Sequence, residues 1–296
     1  MIVGIPKGLL YYKYNPFLQT FFSELGAEVI TSEDTNKKIL NEGIKYSVDE
    51  ACLPIKVFHG HVFSLRDKSD IIVIPRIMQV KKREYICPKF CGLPEMIINS
   101  IPDMPKTITE PIYAISKRKL YNWAENAGSI ITKDKSKIKK AFNRALIEQK
   151  GYDSGIKDEN YRLNIALVGH PYNIYDDFIN MNIVKKLNKL GIGVITEECL
   201  SEDLINKEVD DLYKRPFWTF ARNSYGFASH ISKEKQVNGI IYISSFACGI
   251  DSVVVELIKD KIDEFPFMIL KIDEHTGEAG LDTRVEAFAD MLERSC

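Results

Sequence analysis

The residues best suited to chemistry in this chain are its six cysteines, at positions 52, 87, 91, 199, 248 and 296. Cys87 and Cys91 lie four residues apart in the stretch YICPKFCG, and Pro88 directly follows the first of them. Paired thiols at this spacing occur in metal sites and in redox pairs, and they also occur as buried sulfurs without chemistry. The positions of the cysteines in the predicted helices and strands decide between these three interpretations.

Three of the cysteines share a predicted placement at the end of a structural element. Cys52 lies close before Pro54, which suits a first helical position, so we expect Cys52 at a helix N-terminus, where the dipole favours a thiolate. Cys248, in SSFACGID, directly follows a predicted strand, and Cys87 lies in the loop region after another. Buried structural cysteines would instead be scattered through strands and helices.

Apolar runs alternate with amphipathic helical patterns along the chain. Asn15 and Pro16 predict the start of the first helix, as a cap followed by a proline, and Gly26 predicts its end. This alternation is typical of parallel sheets covered by helices. The predicted strands cover residues 2–5, 28–31, 71–75, 164–168, 194–196, 239–244 and 267–272.

The two halves of the sequence repeat each other. A shift of 165 positions gives ten identities over the 31 ungapped positions from Val3 to Glu33, where average composition gives about two. We therefore predict an α/β fold of two doubly wound, flavodoxin- or Rossmann-like domains, over 1–110 and 159–296. A helical connector and linker over 111–158 joins them. Their parallel sheets are expected to face each other across a crevice, at the carboxyl ends of the strands.

Length and composition limit the class of protein. The chain has 296 residues, 45% of them hydrophobic and 27% charged, with a net charge of −1. This predicts a globular protein without the basic excess of a nucleic-acid binder. No apolar run approaches the roughly 18 residues of a membrane helix, and the first residues lack a signal-peptide core. We expect a cytoplasmic protein, whose cysteines are thiols or metal ligands rather than disulfides.

The spacing of the three cysteines bears on the kind of metal. Thiolate-rich sites bind zinc or iron–sulfur clusters. Structural zinc usually takes closely spaced ligand pairs from one local knuckle, whereas Cys52, Cys87 and Cys248 are separated by 35 and 161 residues. An iron–sulfur cluster held between two lobes fits such ligands better.

Other residues are weaker candidates. His59 and His61, in FHGH, point to different faces of a helix, so they cannot bind one metal, and we predict surface histidines. Cys199 and Cys296 are predicted to have no role. The stretch DEHTGEAG (273–280) is either a phosphate-binding turn or an ordinary tight strand–helix turn, and both interpretations stay open. The polar residues expected nearest to the cysteines, as orienting or acid–base groups, are Glu50, Lys56, His59 and Arg76.

The segments DEACLPIKVFHGH, YICPKF, FACGID and KIDEHTGEAG, with the opening IPKGLLYYKYNPFLQTFFSELG, together resemble the activase-associated branch of the 2-hydroxyacyl-CoA dehydratase superfamily, over nearly the whole chain. The resemblance implies two flavodoxin-like domains that hold a 4Fe-4S or double-cubane cluster, with three cysteines for each cubane. It also implies a dimeric, ATP-hydrolysing iron–sulfur activator protein as partner, which supplies low-potential electrons in anaerobic metabolism.

Residue by residue, Cys52, Cys87 and Cys248 match the three cluster ligands that the resemblance implies. Cys91 lies one helical turn beyond Cys87, about 6 Å along the axis, so it is either a fourth ligand or a buried sulfur behind the site. The sequence departs from the dehydratases in having no recognisable CoA pocket. A double cubane would need about twice as many thiolates, either from a second chain in a homo- or hetero-oligomer or from Cys91, Cys199 and Cys296.

Two functions therefore compete. The first is an iron–sulfur electron-transfer protein, a component of an ATP-dependent reductase or dehydratase system. The second is a metal-free or zinc-stabilised small-molecule binding module with two lobes and no redox chemistry, because the fold by itself implies no function.

Overall fold

The computed structural model describes residues 1–294. The chain forms two compact units, Met1–Tyr152 and Asp153–Cys296, called unit 1 and unit 2 below. Each unit has a four-stranded, all-parallel sheet covered by helices, which confirms the predicted class of two doubly wound α/β domains. No helix among the described residues is both long and apolar enough to cross a membrane.

Unit 1 contains six strands and six helices, with a short 3₁₀ turn at Pro88–Phe90. The strands are β1 (Ile2–Ile5), β2 (Glu28–Thr31), β3 (Ile71–Val73), β4 (Arg76–Gln79), β5 (Lys106–Ile108) and β6 (Pro111–Tyr113). The helices are α1 (Tyr11–Glu24), α2 (Lys37–Lys45), α3 (Leu53–Leu65), α4 (Leu93–Ser100), α5 (Lys117–Gly128) and α6 (Lys135–Gly151).

The sheet of unit 1 has the strand order β2-β1-β3-β5, and β4 and β6 form a separate parallel pair. The segment 111–152, predicted as part of a connector, supplies β6, α5 and α6 to this unit. The physical reason is the apolar face of α6, whose residues Ile138, Ala141, Phe142 and Ala145 are buried. A helix with such a face is stable only when it is packed.

An aromatic cluster joins α1, α5 and α6. The ring of Trp123 lies 5.7 Å from Phe21 and 6.0 Å from Phe17, and Phe17 lies 6.0 Å from Phe142. Trp123 is only 3% exposed. Such edge and tilted ring contacts add to the hydrophobic stabilisation of the three helices.

The first helix begins earlier than predicted. It starts at Tyr11, and Pro16 lies inside it. A proline there removes one backbone hydrogen bond of the helix. Side chains from the end of α6 replace what is lost: the Tyr152 hydroxyl donates to the Tyr12 carbonyl, and the Gln149 amide bonds both the Lys13 carbonyl and the Phe17 N–H.

Helices α2 and α3 touch through two glycines. A Cβ atom on Gly43 would lie 1.9 Å from the Lys56 carbonyl oxygen, and one on Gly60 would lie 1.9 Å from the Ile39 carbonyl oxygen. Only residues without a side chain allow backbones to approach this closely. The contact fixes α3, the helix that begins after Cys52.

Over residues 153–294, unit 2 contains four strands and six helices, with a 3₁₀ turn at Glu197–Cys199. The strands are β7 (Leu163–Gly169), β8 (Ile192–Ile195), β9 (Gly239–Ser245) and β10 (Phe267–Ile272). The helices are α7 (Pro171–Ile174), α8 (Ile183–Lys189), α9 (Glu202–Val209), α10 (Thr219–Lys233), α11 (Gly249–Ile262) and α12 (Glu278–Arg294).

The internal repeat of the sequence is a repeat of topology. The sheet of unit 2 has the order β8-β7-β9-β10, so the first strand lies between the second and third in both units. Gly26 and Gly191, which the repeat aligns, both have left-handed backbones, with φ of 83° and 76°. In each unit this glycine precedes the second strand, where a left-handed residue lets the chain turn out of a helix.

The core of unit 2 lies between its sheet and helices α10 and α11. Central strand residues such as Ala166, Ile240 and Tyr242 are fully buried against Phe227 and Ile258. Trp218, at the N-terminus of α10, is partly buried against the same cluster. This core holds the carboxyl ends of β7 and β9 side by side.

Candidate functional site

Each of the three predicted ligands is the N-cap residue of a helix or 3₁₀ turn. Cys52 caps α3, Cys87 caps the turn Pro88–Phe90, and Cys248 caps α11. The cap positions predicted for Cys52 and Cys87 are confirmed, although Pro54 is the second rather than the first helical residue. All three side chains are half-buried, and the five described cysteines form no disulfide. Their role as ligands stays a prediction.

The remaining cysteines lie elsewhere. Cys91 is exposed, so the interpretation as a sulfur buried behind the site is wrong, because the 3₁₀ turn ends there and α4 begins two residues later. Cys199 is exposed, as its acidic surroundings predicted, and its Sγ lies 3.1 Å from the Ile156 carbonyl. Cys296 lies outside the described residues.

The two histidines of FHGH are buried, not on the surface as predicted. His59 is 1% exposed, and its Nδ1 lies 2.7 Å from the Ile55 carbonyl. His61 is fully buried, with Nδ1 at 2.8 Å from the Ser32 hydroxyl and Nε2 at 2.9 Å from the Thr35 hydroxyl. The apolar character of α3 as a whole explains this burial: almost every residue of the helix is inaccessible.

The other polar candidates are dispersed. Glu50 is exposed, and Lys56 is buried within α3. Arg76 forms an ion pair with Glu95 and donates from Nε to the Thr109 carbonyl. A role of these residues beside a ligand stays a prediction.

His61 makes the stability of unit 1 sensitive to acid. Burial, reinforced by the charge of Lys7, lowers the pKa of His61 from 6.5 to about 3. The unfolded chain therefore binds a proton that the folded chain excludes, so the stability is present above pH 6.5 and is lost as the pH falls toward 3. We expect unit 1 to lose about 2 kcal/mol between pH 7 and pH 5 from this residue.

Urea unfolding at pH 7 and at pH 5 measures this loss of stability. Hydrogen exchange of peptides from unit 1 shows that the loss occurs in that unit. A His61→Gln variant keeps hydrogen-bonding groups but does not titrate, so it should show a shallower pH dependence. An unchanged slope in that variant would contradict the assignment.

Unit 2 brings together three residues at the ends of adjacent strands. His170 follows β7 and caps α7, Cys248 caps α11 after β9, and Asp251 lies in the first turn of α11. His170 Nε2 lies 3.0 Å from Asp251 Oδ1 and 4.0 Å from Cys248 Sγ. The three potential ligand atoms all lie within 4.8 Å of one another. Parallel pairing of β7 with β9 produces this arrangement.

The His170–Asp251 pair is ionic. Burial alone lowers the pKa of His170, but the nearby Asp251 carboxylate outweighs burial and raises the pKa well above 6.5. Burial likewise raises the pKa of Asp251, while the charge of His170 and hydrogen bonds lower it, so that the pKa stays below its usual value. The pair thus holds a proton next to the Cys248 sulfur.

Neighbouring groups fix the orientation of these side chains. The Tyr242 hydroxyl donates to Asp251 Oδ1 at 2.8 Å, and the His170 ring stacks on Tyr172 at 5.1 Å. Ala247, next to Cys248, has a left-handed backbone with φ of 61°. A residue with a side chain is strained in this conformation, and such strain is concentrated at functional sites.

His170, Asp251 and Tyr242 were not among the predicted site residues. The usable signal was the position of the first two: His170 lies two residues after the predicted strand 164–168, and Asp251 lies one helical turn after Cys248. The turn after β10 is different. Asp273 there bonds both the Thr276 hydroxyl and the His275 N–H within the turn, which favours an ordinary tight turn.

Unit 1 contains an apolar cavity. Its volume is ≈ 890 Å³, including its opening to solvent. Most lining side chains are aliphatic or aromatic, as is typical of small-molecule sites. Leu9, which lines it, has a left-handed backbone with φ of 53°. Representative lining residues are Leu9, Tyr11, Phe17, Phe58, Trp123 and Gln149.

The donor set is compatible with an iron–sulfur cluster. Clusters are bound by cysteine thiolates and stabilised by hydrogen bonds to sulfur. Cys52 and Cys248 each stand at the start of a helix of at least 13 residues, whose first N–H groups have no partner inside the helix. The residue types and their capping positions therefore fit such a group.

A protein-family model matches about two thirds of the chain. The family described as CoA enzyme activase uncharacterised domain (DUF2229) matches residues 2–200, which include unit 1 from Ile2 onward and the first part of unit 2. No curated protein matches the chain.

Proposed function

The chain belongs to the CoA enzyme activase uncharacterised domain family, and from this premise we propose that it is an iron–sulfur redox protein. In this proposal it resembles the cluster-binding component of 2-hydroxyacyl-CoA dehydratases. It holds a 4Fe-4S-type cluster through Cys52, Cys87 and Cys248. The chain is thus a component of an ATP-dependent reductase or dehydratase system.

The observation that carries the proposal is the capping position of the three thiols. A bound cluster would supply one-electron transfer at low potential. The protein would hold it through thiolates, and the N–H groups at the starts of α3 and α11 would stabilise negative charge on sulfur. In unit 2, His170 Nε2 lies 4.0 Å from Cys248 Sγ, within reach of a hydrogen bond to the sulfur.

The partner in this proposal is an ATP-hydrolysing iron–sulfur activator protein. Its support is the family, whose description names a CoA enzyme activase. The activator would deliver electrons that the chain passes to a substrate or to another protein. A double-cubane cluster would need thiolates from a second chain, and therefore a homo- or hetero-oligomer.

Serine variants test the ligand assignment. Cys52→Ser, Cys87→Ser and Cys248→Ser should each lose most of the iron and sulfide bound after anaerobic reconstitution, because each removes one of three thiolates. Cys91→Ser and Cys199→Ser are matched controls at exposed cysteines and should retain it. Iron and sulfide assays with the visible absorption spectrum give the result. Equal loss in Cys91→Ser would make Cys91 the fourth ligand, and a colourless wild-type protein would overturn the proposal.

A second candidate function is a small-molecule binding module without redox chemistry. The apolar cavity of unit 1 favours it, because concave, largely apolar pockets are the usual sites for small ligands. In that case the reconstituted protein is colourless, and an apolar ligand shifts the thermal midpoint of unit 1. The visible absorption spectrum after reconstitution and the thermal midpoint with an apolar ligand therefore decide between the two candidate functions.

A further inference from the structure

We propose that unit 2 contains a complete mononuclear site for a divalent transition metal, formed by His170 Nε2, Cys248 Sγ and an Asp251 carboxylate oxygen. The site uses no residue of unit 1. It does not depend on the proposed iron–sulfur function, and it goes beyond that function by assigning His170 and Asp251 as ligands. Zinc is the metal that its ligands favour.

The ligand atoms lie near the spacing of a tetrahedral zinc site, and small side-chain shifts would reach it. Bonds of about 2.0–2.3 Å place neighbouring ligand atoms roughly 3.3–3.7 Å apart. The observed separations of 3.0 Å and 4.0 Å, with all atoms within 4.8 Å, lie on both sides of that range. Imidazole, thiolate and carboxylate are all zinc ligands. Three protein ligands would leave the fourth position for water or a small ligand.

One buried atom points to a missing partner. Asp251 is 1% exposed, yet its Oδ2 accepts no hydrogen bond within the described part of the chain. A buried carboxylate oxygen without a partner is costly, and a metal bound to it removes that cost. On binding, the metal displaces the proton on Nε2 to solvent, and Cys248 binds it as the thiolate.

Neighbouring groups orient two of the ligands. Tyr242 donates to Asp251 Oδ1, and the His170 ring contacts the rings of Tyr172 and Phe220. Groups of this kind fix the rings and carboxylates of metal ligands, and their loss weakens affinity about 10–100-fold.

Cys248 cannot bind the mononuclear metal and the iron–sulfur cluster at the same time. One thiolate serves either the mononuclear metal or the cluster, so a chain loaded with zinc should take up less cluster iron. This competition separates the two hypotheses: the metal site predicts binding without Cys52 and Cys87, whereas the cluster requires them.

The test is titration of the metal-free, cluster-free full chain with Co²⁺, a spectroscopic substitute for zinc. We expect one Co²⁺ for each chain, with a thiolate-to-metal charge-transfer band and the visible bands of tetrahedral Co²⁺. The Cys52→Ser/Cys87→Ser double variant should bind equally well. Cys248→Ser should lose the charge-transfer band, and His170→Gln, Asp251→Asn and Tyr242→Phe should each bind at least about tenfold more weakly.

His230→Gln is the matched control, because His230 is also a buried histidine of unit 2 beside a carboxylate, Glu208. It should bind Co²⁺ like the wild type. If a variant does not fold, hydrogen exchange of the wild-type chain with and without Zn²⁺ is measured instead. Zn²⁺ should slow the exchange of peptides over 163–174 and 239–262. Absence of binding, loss of binding in the double variant, or unchanged affinity in both His170→Gln and Asp251→Asn would overturn the proposal, and the pair would then be an ion pair only.

Discussion

Replacement of Asp251 by alanine is expected to destabilise unit 2 by about 3–5 kcal/mol. The carboxylate is buried, accepts from the Tyr242 hydroxyl at 2.8 Å and forms an ion pair with His170 at 3.0 Å. Its removal leaves the imidazole of His170 and the hydroxyl of Tyr242 buried without their partner. Deleting one partner of a buried pair costs far more than the pair contributes, because the other partner remains desolvated.

Urea unfolding with hydrogen exchange of unit 2 peptides measures the effect of the Asp251 replacement. Asp260→Ala is the matched control, because Asp260 lies on the same helix, α11, but is exposed, and its loss should change stability by less than about 0.5 kcal/mol. Similar destabilisation by both variants would show that helix α11, and not the buried pair, is responsible.

Gly60→Ala is expected to destabilise unit 1 by about 3 kcal/mol, the upper end of what overpacking costs. The added methyl group would lie 1.9 Å from the Ile39 carbonyl oxygen. This neighbour is backbone, so the clash is relieved only if α2 and α3 move apart. Since Cys52 caps α3, the same movement displaces a proposed ligand.

Gly151→Ala serves as the control for Gly60→Ala, because Gly151 ends α6 in the same unit and an added Cβ would meet no atom within 4 Å. We expect it to be neutral or slightly stabilising, since alanine has the higher helix propensity. Urea unfolding of the two variants gives the comparison. If Gly60→Ala unfolds at the same urea concentration as the wild type, the close contact of α2 with α3 does not limit stability.

The sheets of both units could be predicted from the sequence, and the short edge elements could not. The strands over 2–5 and 239–244 are continuous apolar runs, which is typical of buried parallel strands. The strands β5 (Lys106–Ile108) and β6 (Pro111–Tyr113) have three residues each. Such runs show no recognisable period, so only tertiary contacts identify them.

The start of α1 shows a second limit of prediction from local sequence. Asn15 and Pro16 have the local pattern of a helix start, but the helix begins at Tyr11 because Gln149 and Tyr152, more than 130 residues away, bond the backbone around the proline. Long-range compensation of this kind is not visible in a local window.

The candidate site could be predicted only in part for a similar reason. The cysteines were recognisable from residue type and flanking residues, and the caps of Cys52 and Cys87 follow from the prolines beside them. The proximity of His170 to Asp251, 81 positions apart, arises from the pairing of β7 with β9. His61 was assigned to the surface because the sequence around it gives no sign that the whole of α3 is buried.

Each unit contains one of the two tryptophans of the chain, Trp123 in unit 1 and Trp218 in unit 2. Trp123 is enclosed by phenylalanine rings, whereas Trp218 is only partly buried beside Phe217, with ring centroids 4.4 Å apart. Indole fluorescence shifts to longer wavelength when the ring meets water, so the emission of a Trp218→Phe chain reports unit 1 alone and that of a Trp123→Phe chain reports unit 2 alone. The placement of two indoles thus gives each unit its own optical signal within the intact protein.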